Sequence, residues 1–152
     1  MERGKQLDSL LAKNATPSLR DICSVLFISV FMLAKSDSAF RQWLKASSLD
    51  YARSSSSEVK RNWSNLGENT QKTASLLRAH LRHIDKTVLD LRLLNADRLI
   101  AVSMSIQAKD KNAFHGPNAD LFREVFLDGI VATFKAENSD ETQQVLANQA
   151  QN

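Results

Sequence analysis

The sequence predicts an all-α, single-domain bundle of about six helices. Three observations carry that prediction. No segment sustains the apolar–polar alternation of a strand. Glycine and proline are scarce, at four and two, leaving little material for hairpin turns. Apolar residues recur instead at three-and-four spacing, the mark of one helix face turned inward. At 152 residues and 43% hydrophobic the chain is large enough for one real core and too short for two.

Residues 1–15 are polar and read as a flexible or weakly helical N-terminus. Thr16-Pro17-Ser18 opens the first definite helix, with Thr16 as N-cap and Pro17 at the first helical position, where its missing N–H costs nothing. Leu19, Ile22, Cys23, Leu26, Phe27, Val30, Phe31 and Ala34 then form a wide apolar face suited to the centre of the domain. Ser36-Asp37-Ser38 breaks this helix and caps a short second one bearing Phe40, Trp43 and Leu44 as anchors. Serines fill the stretch from Ala46 to Ser57, which reads as a loop.

The longest helical pattern runs from Val59 to Leu91, with Trp63, Leu66, Leu77, Leu81, Ile84, Val88 and Leu91 on one stripe and a possible bend near Gly67. Arg92 to Asn95 makes the next break, and Asn95 or Asp97 starts a helix with Leu99, Val102 and Ile106 inward. Lys109 to Asn112 is charged and irregular. His115-Gly116-Pro117-Asn118 is the sharpest boundary, since glycine and proline both resist helix continuation. Asn118 is expected to cap a helix with Leu121, Phe122, Val125, Phe126, Ile130, Val131 and Phe134 on its apolar face, and Gly129 to mark close packing. The organisation is thus an all-α domain over 16–136, followed by a polar tail or incomplete last helix over 137–152.

Composition narrows the function classes. The formal charge of +3 comes from 20 basic residues set among 17 acidic ones, which does not point to nucleic acid. Cys23, the one cysteine, lies in the most apolar run and reads as a small buried hydrophobe of a protein in a reducing compartment, here expected to be the cytoplasm. That run, Ile22 to Ala34, falls short of the roughly 20 residues a bilayer span needs, so a core helix is expected and no membrane association.

Candidate chemistry is sparse. His80 and His83 have the i, i+3 spacing of paired imidazoles, yet no third ligand shares their face, and no metal site is predicted. At about 100° per residue His80 falls at the margin of the apolar stripe and His83 toward water. No nucleophile elbow, phosphate-cradling glycine loop or Cys-His arrangement is present, so no catalytic residue is assigned and a non-enzyme is expected. Arg78, Arg82 and Lys86 form a basic row, diluted by Asp85 and Asp90 and read as a solvated face. Glu68 and Lys72 form an i, i+4 pair.

The order of these elements resembles the globin family over residues 17–136: an apolar helix ending in Val30-Phe31, a short helix with Phe40 and Trp43, a polar loop, a long helix carrying Leu-Gly-Glu-Asn-Thr at 66–70, a shorter helix, and one opening after a Gly-Pro corner. The stretch from Leu66 to Leu81 is similar to the globin helix on the distal side of heme. The resemblance implies heme and oxygen binding, with Asn69 at the distal position. The helix expected to carry the proximal imidazole, 95–110, has no histidine; Ile106 or Gln107 stands nearest, and Met104 is a more remote donor. His80 and His115 are the alternative imidazoles. The residues taken alone predict a non-enzymatic helical interaction or structural module without a cofactor, binding an unknown protein or a second copy of itself.

Overall fold

Local capping chemistry and apolar periodicity together wind the chain into helices, which the computed structural model describes over residues 2–14, 16–53 and 67–150. Seven helices lie among the described residues: α1 Glu2–Lys13, α2 Leu19–Ser36, α3 Ser38–Arg53, α4 Glu68–His80, α5 Lys86–Gln107, α6 Pro117–Lys135 and α7 Asp140–Gln149. No strand occurs among them. The all-α expectation holds, and both terminal segments contribute a helix.

Several helix starts follow from side chains that satisfy the first free N–H groups. At α2 the cap is Ser18: its Oγ accepts from the Asp21 N–H at 3.2 Å, while Asp21 Oδ2 accepts from the Ser18 N–H at 3.0 Å. This reciprocal box displaces the expected Thr16 cap and leaves Pro17 outside the helix. Asp37 turns the chain into α3, its Oδ1 accepting from the N–H groups of Ala39 and Phe40 at 2.8 and 3.0 Å. The two helices meet at 117°. Gly116 begins α6 at φ 83°, a left-handed backbone that favours glycine, and Pro117 takes the first helical position. Asn118 therefore lies inside the helix and does not cap it.

The core is built around α2. Phe27 lies 4.8 Å from Phe126 and 6.1 Å from Phe31, ring centre to ring centre, and Phe31 meets Phe114 edge-on at 5.3 Å. Arg20 at the start of α2 pairs with Glu124 at 2.8 Å and with Asp128, whereas Phe31 near its end reaches Phe114 and Phe122. Helices α2 and α6 thus run antiparallel. A second antiparallel pair, α5 and α6, is tied at its far end by Arg92, which donates to the Phe134 carbonyl at 3.3 Å and to Asn138 Oδ1 at 2.8 Å. Helix α3 packs along α5, and α1 packs against α2 and α4 through buried Leu7.

Several expectations need correction. The single helix from Val59 to Leu91 is broken: α4 ends at His80, Leu81–Asp85 turns, and Asp85 caps α5 by accepting from the Thr87 and Val88 N–H groups. Its portion before Gly67 lies outside the described residues. The expected break at Arg92 to Asn95 is continuous helix, because α5 runs unbroken for 22 residues. Helix α3 is longer than expected and takes in Ala46 to Arg53 of the presumed loop; positions 54–57 lie outside the described residues.

Inward faces also shift. Ile106 and Leu99 are exposed, while Leu93, Ala96 and Met104 are buried, so the buried face of α5 is rotated from the expected one. On α6, Ile130, Val131 and Phe134 are buried as expected, whereas Leu121 and Val125 are exposed and Gly129 borders open space. The apolar run in α2 is a core helix, with Ile22, Cys23, Phe27 and Phe31 buried. No single described helix is long and apolar enough to cross a membrane.

Candidate functional site: an apolar cavity

A cavity of about 220 Å³ lies among α2, α3, α4, α5 and α6. Its floor is aliphatic and aromatic, formed by Leu93 of α5 with Ile130 and Phe134 of α6. Leu26 and Val30 of α2 close one side, and Phe40, Trp43 and Leu44 of α3 close another. Space remains because three positions facing it, Ala74, Ala96 and Ala101, carry only a methyl group where neighbouring turns carry Leu, Ile or Phe. Space of this kind leaves lining atoms without packing partners on one side.

Polar groups are few and lie on α3, α4 and α5: the Trp43 indole, Ser47, Thr70 and Asp97. Ser47 Oγ donates to the Leu44 carbonyl of its own helix at 3.2 Å. Trp43 is 55% exposed and stacks on Phe40 with centroids 5.5 Å apart and planes at 21°. A half-exposed indole stacked on a cavity-lining ring forms an aromatic rim. Asp97 is the one charged residue of the described lining, which contains no Lys, Arg or His.

The residues singled out from sequence lie elsewhere. Asn69 packs against α1, close enough that a Cβ at Gly4 would stand 2.6 Å from its Nδ2. Gln107 Nε2 donates to the Ala113 carbonyl at 2.6 Å and closes the turn between α5 and α6. Neither belongs to the described cavity lining, and the two are not brought together there. Met104 is fully buried in the core. His80, His83 and His115 are all exposed, so His80 does not sit at a core margin, and none lines the cavity. Among the described residues no three His, Cys, Asp or Glu side chains gather as a metal site.

The heme implied by resemblance needs an axial His, Cys, Met or Tyr. None of these types occurs in the described lining. The described lining of this cavity thus supplies no axial ligand for that group.

Other titratable features are structural. Burial alone pushes the Cys23 thiol from its ordinary 9.0 up to about 12, which removes it as a nucleophile at neutral pH. The basic row is split by the turn after α4: Lys86 and Arg78 reach Asp90 at 2.8 and 3.5 Å and hold its carboxyl below the usual range, the Lys86 hydrogen bond contributing most, while Arg82 lies exposed on the turn itself. Glu68 and Lys72 form the expected pair at 2.7 Å.

Sequence reasoning missed the cavity because space leaves no motif. The available signal was Ala96 and Ala101 on a helix otherwise rich in Leu and Ile, opposite a helix bearing Phe40 and Trp43. No protein-family model, curated protein or solved structure matches the chain.

Proposed function

We propose that this chain is a non-enzymatic all-α binding module that receives the apolar part of a small ligand in the cavity between α3 and α5, without iron. One observation carries the proposal: a space of about 220 Å³ kept open by Ala74, Ala96 and Ala101 inside an otherwise continuous core. Ligand pockets are concave and mainly apolar, with a few polar groups that orient the guest. Trp43, Ser47, Thr70 and Asp97 supply those groups here. From the globin resemblance the proposal keeps a pocket among helices and omits the prosthetic group.

Size sets the guest. Relative to the benzene-sized reference cavity of about 150 Å³, the volume suits a two-ring aromatic or a medium-length alkyl chain. The test is titration with indole and with 1-octanol, followed by NMR of cavity-lining methyl groups. Saturable shifts centred on Leu26, Val30, Leu93 and Ile130, abolished in Ala96→Leu, are expected. If neither compound perturbs those methyls, the proposal fails.

A further inference from the structure

We infer that a second copy of this chain docks on the outward face of α6, antiparallel and two-fold symmetric, through Leu121, Val125, Gly129 and Ala132. Leu121 and Val125 are 64% and 60% exposed, and Gly129 and Ala132 are exposed as well. At about 100° per residue these four positions share one side of α6, opposite buried Ile130 and Phe134. A helix that is apolar on both sides is expected to be covered on both.

Gly129 indicates what covers it. Nothing in the chain lies within 4 Å of the place its Cβ would occupy, so no contact inside the protein calls for glycine there. After proline, glycine is the least favourable residue in a helix interior, and its compensating use is to let another backbone approach closely. The face is also its own complement, with the large Leu121 and Val125 in one half and the small Gly129 and Ala132 in the other. Two copies laid antiparallel about an axis level with Leu127 put Val125 opposite Gly129 of the second copy and Leu121 opposite its Ala132, each to within about one residue rise of ~1.5 Å. In a two-fold contact each pair occurs twice.

Charge favours the same register. In an antiparallel pair each flank meets the same flank of the other helix, and one flank of α6 carries exposed Asp120 near its start and exposed Lys135 at its end. Lys135 then falls within about one residue rise of Asp120 of the second copy, closing both ends of the apolar contact. Arg123 also holds Asp120, at 3.1 Å, so the intermolecular pair sets register more than affinity. Asp128, the charge nearest the middle of the stripe, is drawn aside by its pairing with Arg20. The helix has 19 residues and is about 28 Å long, so a single helix pair stays below the standard interface of about 1,200 Å² and the dimer is concentration-dependent.

Sedimentation velocity of the full chain from about 5 to 500 µM is expected to show a monomer–dimer equilibrium, as suits a small interface. Ala132→Leu fills the space that receives Leu121 and is expected to weaken the dimer about tenfold. A merely adhesive apolar patch would bind more tightly with the added leucine, and that result overturns the inference. Asp120→Lys and Lys135→Asp are each expected to weaken the dimer about threefold, and the two combined in one chain to restore it. The three positions are exposed, so the variants leave the monomer folded. A chain that stays monomeric throughout, or a dimer that the charge reversals do not weaken singly and restore together, also overturns the inference.

Discussion

Replacing Ala96 by leucine tests whether the cavity is space held open inside the core. Ala96 is 4% exposed and faces the cavity from α5, beside Leu93 and Ile100. The space beside it leaves the Ala96 methyl without partner atoms on that side, so a larger side chain can gain burial there. Leucine adds three carbons, worth about 0.8 kcal/mol each when buried. Ordering its side chain costs about 0.5–1 kcal/mol. The expected net is a stabilisation of about 1.5 kcal/mol, read as a higher midpoint in urea at unchanged slope.

In a filled core the same substitution destabilises by about 1–3 kcal/mol, because added methylenes force side chains off their rotamers. The sign is therefore the diagnostic. A lower urea midpoint for Ala96→Leu refutes the reasoning, whatever the binding experiments report. A higher midpoint accompanied by loss of indole and octanol binding links the missing stability to the ligand site. Stability forgone at a functional cavity is a recognised trade between folding and function.

Three further predictions follow from particular contacts. Because burial raises the Cys23 thiol from 9.0 to about 12, stability tied to that group is fully present below pH 9 and is lost as pH rises toward 12, at about 1.4 kcal/mol per pH unit within that window; chemical denaturation at pH 8 and 10.5 should show this loss in the parent and not in Cys23→Ala. Ser18→Ala removes the box at the start of α2 and should cost about 1 kcal/mol, measured by the same method, with Ser18→Asn nearly neutral. Arg92→Met keeps the stem but drops two hydrogen bonds to the end of α6 and the segment beyond it, so a loss of about 1.5–3 kcal/mol is expected, together with faster amide exchange around Phe134 to Asn138.

What was legible in the sequence was local. The turn at Asp37 is readable because its carboxylate binds N–H groups only two and three residues away, and the corner at Gly116-Pro117 because each residue restricts its own backbone. The break after α4 was hidden. Leu81, Ile84 and Val88 keep helical spacing straight through it, although Ile84 donates to the Leu81 carbonyl at 2.9 Å in a tighter turn. Asp85 before Thr87 and Val88 was the overlooked signal, an N-cap inside an uninterrupted apolar pattern. The buried face of α5 was hidden for a different reason. Apolar residues occur all around it, including exposed Leu91, Leu99 and Ile106, so periodicity does not choose a direction.

That turn also decides where a ligand can go. In one continuous helix from Val59 to Leu91, followed by a break at 92–95, Asn69 and Gln107 fall on successive helices and invite a shared pocket between them. With the chain turning at Leu81–Asp85, α5 begins nine residues earlier than the expected start near Asn95, and the stretch from Leu93 to Ala101 becomes the middle of a helix that packs along α3. The residues opposite Phe40 and Trp43 are then Ala96, Asp97 and Ala101, two methyl groups and a carboxylate, while Gln107 is carried to the helix end and spent on closing a turn. The cavity follows from that placement, since small side chains at mid-helix cannot be compensated by backbone collapse when α3 and α6 are held by their own contacts to α2. Shifting α5 by moving its cap, as in Asp85→Ala, acts on the same geometry from a distance. It should cost about 1 kcal/mol in stability and weaken octanol binding without any substitution in the cavity lining. Unchanged affinity in that variant would show that α5 is positioned by its packing along α3 alone.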